Sequence, residues 1–183
     1  MSKKIILIII VIIILAGAGY FLSQPKTETE KLPVKTEKNV PDPKNCAYIL
    51  EGKSITLKDG YSEEEIATGS ASKSITQYFG NEATGDFNND GFEDIVFLLT
   101  QSNGGSGTFF YAVVAFGLSD GYQGTNAIFL GDRIAPQTTE FRNGEIIVNY
   151  AQRKPDESMT AAPSLGVSKY FQVSENNLIE IQK

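Results

Sequence analysis

The chain has 183 residues, with 22 Asp and Glu against 16 Lys and Arg and a net charge of −6. That acidity, which grows once Lys3 and Lys4 are set apart from the rest, repels phosphate backbones and excludes nucleic acid as a partner. There is no histidine, which removes the commonest general base, the usual zinc ligand and any Ser-His-Asp arrangement; the chain reads as non-enzymatic, with a histidine-free carboxylate-based hydrolase or carbohydrate-active enzyme as the alternative.

Behind Ser2-Lys3-Lys4, residues Ile5 to Leu22 form an uninterrupted apolar run of about 18 residues, near the length that crosses a bilayer core. The lysines ahead of it place the N-terminus in the cytoplasm, so residues 1–22 are read as a cytoplasmic start and a transmembrane helix. Ala16-Gly17-Ala18 also fits a signal-peptide cleavage site, but Tyr20-Phe21-Leu22 continues the apolar segment past it, which favours a retained anchor. Either route exports the C-terminal part of the chain. Residues 23–45 are rich in Lys, Glu, Thr and Pro, with Pro25, Pro33, Pro41 and Pro43 stiffening a solvated tether. The expected location is the cell membrane, single-pass, with the C-terminal domain outside the cytoplasm.

Residues 46–183 are enough for one domain with its own core. Its single cysteine, Cys46, has no partner for an internal disulfide and reads as a buried, inert thiol ahead of a first strand. Strand patterns occur at Tyr48–Leu50, Ser54–Leu57, Ser74–Phe79, Ile95–Thr100, Phe109–Phe116, Ala127–Leu130, Thr138–Phe141, Glu145–Tyr150, Lys169–Val173 and Leu178–Ile181. Small helical turns are expected at Ser62–Ile66 and Pro155–Thr160. Asn143-Gly144 is the strongest hairpin signal, since both central residues of a type I′ turn need positive φ; Asp59-Gly60, Asp120-Gly121 and Glu175-Asn176-Asn177 are weaker relatives. Short turns join antiparallel neighbours. The expected fold is therefore all-β, mainly an antiparallel meander forming a sandwich or partly open barrel. Phe109–Phe116, apolar on both faces, is its central strand.

The most informative stretch is Gly85-Asp86-Phe87-Asn88-Asn89-Asp90-Gly91-Phe92-Glu93-Asp94. Calcium takes oxygens from loop positions 1, 3, 5, 7 and 9, the seventh through its backbone carbonyl, with glycine at 6 for the sharp turn. Those positions fall on Asp86, Asn88, Asp90, Phe92 and Asp94, with Gly91 at the sixth. Position 12 is Phe97, so the bidentate glutamate of an EF-hand is missing, and Asp94 is expected to chelate in its place. Asp/Asn/Gly-rich turns between strands share this composition. The crowding of Asp86, Asp90, Glu93 and Asp94 is what favours a divalent cation, Ca²⁺, in a structural role.

Over about ten residues this loop resembles the Asp-x-Asn-x-Asp-Gly-x-x-Asp loops of FG-GAP and VCBS-type repeats of exported and cell-surface proteins. The resemblance implies bound calcium, but no second copy of the loop recurs at a fixed period, so a multi-bladed propeller is not implied. The runs Gly104–Phe109, Gly124–Ala127 and Gly131–Thr138 resemble those of exported, membrane-anchored bacterial proteins, a likeness that implies no activity. Gln101–Gly107 lacks the Gly-Lys-Ser/Thr ending of a phosphate loop and is read as a β-connection. Arg133, Arg142, Arg153, Asp132, Tyr150 and Tyr170 read as surface ion pairs and hydrogen-bonded tyrosines. The functional expectation is a structural or binding module of the cell envelope. Its partners are the membrane, through the N-terminal helix, and an envelope protein or a small molecule.

Overall fold

Two long strands of nearly unbroken apolar sequence, Asp94–Ser102 and Phe109–Leu118, set the layout of the domain in the computed structural model, which describes residues 41–183. Such strands have no polar face to offer water, so each side must be covered by another layer. Among the described residues twelve strands form: β1 (Ala47–Leu50), β2 (Lys53–Thr56), β3 (Tyr61–Glu65), β4 (Lys73–Gly85), β5 (Asp94–Ser102), β6 (Phe109–Leu118), β7 (Gly121–Gly124), β8 (Ile128–Asp132), β9 (Ala135–Arg142), β10 (Glu145–Gln152), β11 (Leu165–Ser174) and β12 (Asn177–Ile181). The middle sheet runs β3-β4-β5-β6-β7, with β8 pairing the other half of β6. A four-stranded sheet, β12-β11-β10-β9, and the hairpin β1-β2 complete the fold. All pairings between these strands are antiparallel.

The alternation of side chains along β5 and β6 divides the core in two. Val96, Leu98, Ala112, Val114 and Phe116 meet Ile146, Val148, Tyr150, Phe171 and Leu178 of the four-stranded sheet. Phe97, Leu99, Tyr111, Val113 and Ala115 point the other way, onto Tyr48, Leu50, Ile55 and Leu57 of the hairpin region. The result is a sandwich-like all-β domain whose central strands are buried on both faces. Each fully buried Val, Leu or Phe contributes roughly 1.5–3 kcal/mol, and Val96 through Leu99 are all completely buried.

The strong hairpin signal forms as expected: Asn143 and Gly144 take φ of 55° and 76° between Arg142 and Glu145. Glu175 and Asn176 turn β11 into β12 in the same way, with φ of 49° and 61°. Ser62–Ile66, expected as a helical turn, is instead mostly strand β3, because Tyr61 to Glu65 pair in register with Gln77 to Lys73 and that ladder overrides local propensity. Pro155–Thr160 forms turns rather than a helix. β4 is longer than its sequence pattern because register shifts, with positive φ at Gly80 and Asn81, let it bend and continue. Cys46, expected to be buried, is half-buried, its Sγ 3.3 Å from the Tyr122 carbonyl, and burial pushes the thiol up from its ordinary value. No helix among the described residues is long and apolar enough to cross a membrane; the expected anchor, residues 5–22, lies outside them.

One of the side chains that tie the two sheets together does so at a strand edge. Asn126 donates through Nδ2 to the Leu178 carbonyl at 3.0 Å and accepts the Leu178 N–H on Oδ1 at 2.9 Å, occupying the free edge of β12 as a strand would. Asn126→Ala leaves both backbone groups of Leu178 without these partners, so it is expected to lower the unfolding free energy by about 1–3 kcal/mol, measured by urea denaturation.

Candidate metal centre

The loop Asp86–Asp94 joins β4 to β5, and three features of sequence shape it. Gly85 ends β4 against the Phe141 ring, where a Cβ would lie 2.6 Å from Cδ1, so only glycine lets the chain pass. Phe87 turns inward, its ring centroid 4.6 Å from that of Phe141, and roots the loop in the core. Asn89 and Gly91 take φ of 61° and 89°, which folds the chain back on itself; asparagine and glycine are the residues that tolerate this most readily.

The oxygens at loop positions 1, 3 and 5 crowd together. Asp86 Oδ1 and Asn88 Oδ1 both accept the N–H of Asp90, each at 3.0 Å, so they converge on one point. Asp86 Oδ2 accepts the Gly91 N–H at 3.0 Å. Asp90 Oδ1 accepts from Phe92 N at 2.8 Å, while its Oδ2 accepts from Asn88 Nδ2 at 2.8 Å. The Phe92 ring is exposed at the surface.

Asp94 behaves differently. It has no solvent exposure, and its two oxygens hold two backbone donors: Phe87 N at 2.8 Å and Gly117 N at 2.9 Å. Burial pushes its carboxyl up from the ordinary carboxylate range, against the pull of these N–H groups, and the nearby Asp90 charge adds to the rise. Gly117 is required for this contact, since a Cβ there would lie 2.3 Å from the Glu93 carbonyl oxygen.

The donor set is entirely oxygen, the chemistry that suits a hard divalent cation. Among the described residues no three His, Cys, Asp or Glu side chains gather into a ready-made ligand cluster. A cation here therefore depends on Asn88 and the Phe92 carbonyl as well as on the carboxylates. Asp94, each of whose oxygens has accepted one N–H, retains lone pairs for a further contact. The donors fit the ion in kind, and Asp86 and Asn88 each bring one oxygen to the same N–H, while the Asp90 carboxylate turns to the Phe92 N–H and the Asn88 amide.

No protein family, curated protein or solved structure matches the chain.

The other polar residues singled out from sequence do not join the loop. Asp132 forms a close ion pair with Arg133 and accepts the Thr108 N–H at 2.9 Å, which closes the glycine-rich connection; Arg133 holds the Asp132 carboxyl below its usual range. Arg153 donates to the carbonyls of Ala161 and Arg133, Tyr150 to that of Leu130, and the Lys183 ammonium lies over the Tyr170 ring. These are structural ties. What sequence reasoning missed is the neighbour of the loop: the β11–β12 turn borders a cleft with Asn88, Asn89 and Asp90. Glu175-Asn176 was legible as a turn, but its distance along the chain hid its position.

Asp94→Asn tests the buried anchor. Asparagine offers one acceptor and one NH₂ to two N–H donors, so one donor meets another in a dry site; a loss of about 1–3 kcal/mol is expected by urea denaturation in the presence of a chelator.

Proposed function

We propose that this chain is a membrane-tethered, extracytoplasmic β-domain that binds one calcium ion in the loop 86–94, with a structural or binding role in the cell envelope. The observation that carries the reading is the convergence of Asp86 and Asn88 oxygens on one point beside the Asp90 carboxylate, at the start of a strand buried on both faces. Asp86, Asn88, Asp90 and the Phe92 carbonyl would hold the ion, and Asp94 would close the set from the core side. The likeness of the loop to FG-GAP-type calcium loops supports the same ligands. A cation would relieve the repulsion among Asp86, Asp90 and Asp94 and fix the loop against the sandwich. The apolar run 5–22 behind two lysines supports the anchor and its orientation.

A specific observation favours a second reading, a metal-free turn. Both Asp86 oxygens and Asp90 Oδ1 already hold loop N–H groups, which is how Asx-type turns stabilise themselves.

Melting separates the two. Extracellular calcium sites bind at about 10⁻⁴ to 10⁻³ M, and a tenfold excess over Kd stabilises the native state by roughly 1.4 kcal/mol. The melting temperature of the detergent-solubilised full chain, followed by near-ultraviolet circular dichroism of its tyrosines, should rise by about 5 °C on adding millimolar calcium. It should fall back with chelator and be insensitive to calcium in Asp90→Ala; equal curves for wild type with and without calcium select the metal-free turn. The anchor is checked separately: protease added outside intact cells should digest residues 46–183, and complete protection would overturn the orientation.

A further inference from the structure

We propose that the cleft between the loop and the β11–β12 turn binds a neutral, hydroxyl-rich ligand, a sugar. The cleft measures about 480 Å³, within the range of small-molecule sites. Phe116 and Val173 lie on its apolar side, Asn89 and Asp90 on one lip and Ser174, Glu175 and Asn176 on the other. Within the described structure, the side chains of Asn89, Ser174, Glu175 and Asn176 take part in no hydrogen bond, whereas those of Asp86, Asn88 and Asp90 are committed within the loop.

The lining selects the ligand class. Two carboxylates and no lysine or arginine border the cleft, which disfavours phosphates, sulfates and other anions. Amides both donate and accept, the hydroxyl of Ser174 does the same, and the carboxylates accept; each hydroxyl of a sugar needs such paired partners. Phe116 is almost wholly buried, so the half-buried Val173 is the part of the apolar side that a ligand's C–H groups can meet. Asn89, Glu175 and Asn176 all take positive φ, so both lips are tight turns and the ligand meets preformed walls, which lowers the ordering cost of binding. The assignment touches the calcium reading at Asn88 and Asp90, which the two sites share.

The test uses the full chain in lipid nanodiscs, with empty nanodiscs as blank and ligand-observed saturation-transfer NMR as readout. The probes are D-glucose, D-galactose, N-acetyl-D-glucosamine, cellobiose and lactose, with choline as the cationic control. At least one sugar should receive saturation, and choline should not. The double variant Asn89→Gly with Asn176→Gly removes both amides while glycine keeps the positive φ, so the fold is retained and apparent affinity should weaken by about tenfold. Ser174→Trp, filling the cleft from an exposed strand end, should abolish transfer. Silence from every sugar, transfer to choline instead, or sugar transfer unchanged in both variants overturns the proposal. Each arm is run in calcium and in chelator: sugar binding in both, with a calcium-indifferent melting curve, removes the metal reading alone. A calcium-shifted melting curve with no sugar signal removes the cleft alone.

Discussion

A carboxylate with no solvent exposure, Asp94, ties the loop to the core of this domain. Removing such a group from water costs several kcal/mol unless charge-assisted hydrogen bonds replace its hydration. Here the Phe87 and Gly117 N–H groups do so. Those two donors belong to opposite ends of the local structure, the start of the loop and the end of β6. One side chain thus fixes where the loop leaves β4, where β5 begins and how β6 runs past both. The crowding of Asp86, Asn88 and Asp90 is a consequence, because a loop with both ends fixed has little room to spread its side chains.

The same region depends on the double burial of β5 and β6. With the hairpin β1-β2 on one face and the sheet β9–β12 on the other, these strands have no solvated side on which to shift register by one residue. Asn126 holds the β12 edge, and β12 in turn fixes the β11–β12 turn that faces the loop. The cleft is therefore bounded by two turns, each rooted in a different sheet. The exposed Phe92 and the committed side chains of the loop lie outside the sandwich proper, where substitutions alter the site without opening the core.

Much of the architecture was legible because it rests on local rules. Alternation and turn residues located ten of the twelve strands, and the unbroken run Phe109–Phe116 is central, as its lack of a polar face requires. β3 was missed because Ser62 to Glu65 has no apolar period; its strand identity comes from pairing with β4. β7, Gly121–Gly124, has only Tyr122 as a strand-favouring residue and forms because β6 offers a free edge. The turn Glu51-Gly52, with φ of 50° and 82°, also went unread, although a glycine after a polar residue was its signal.

The site divides in the same way. Oxygen-bearing side chains at alternate positions and a glycine at the reversal are matters of adjacent residues, so Asp86, Asn88, Asp90 and Gly91 were recognisable as a tight, acidic loop from spacing alone. That Asp94 turns inward to hold Gly117, that Phe92 stays outside, and that Asn176 lies across a cleft from Asn89 depend on contacts between segments far apart in the chain. Such contacts are set by which strands pair and which faces are buried. Local spacing can state which oxygens a loop has to offer; only the packed sheets decide which of them face the core, the solvent or one another.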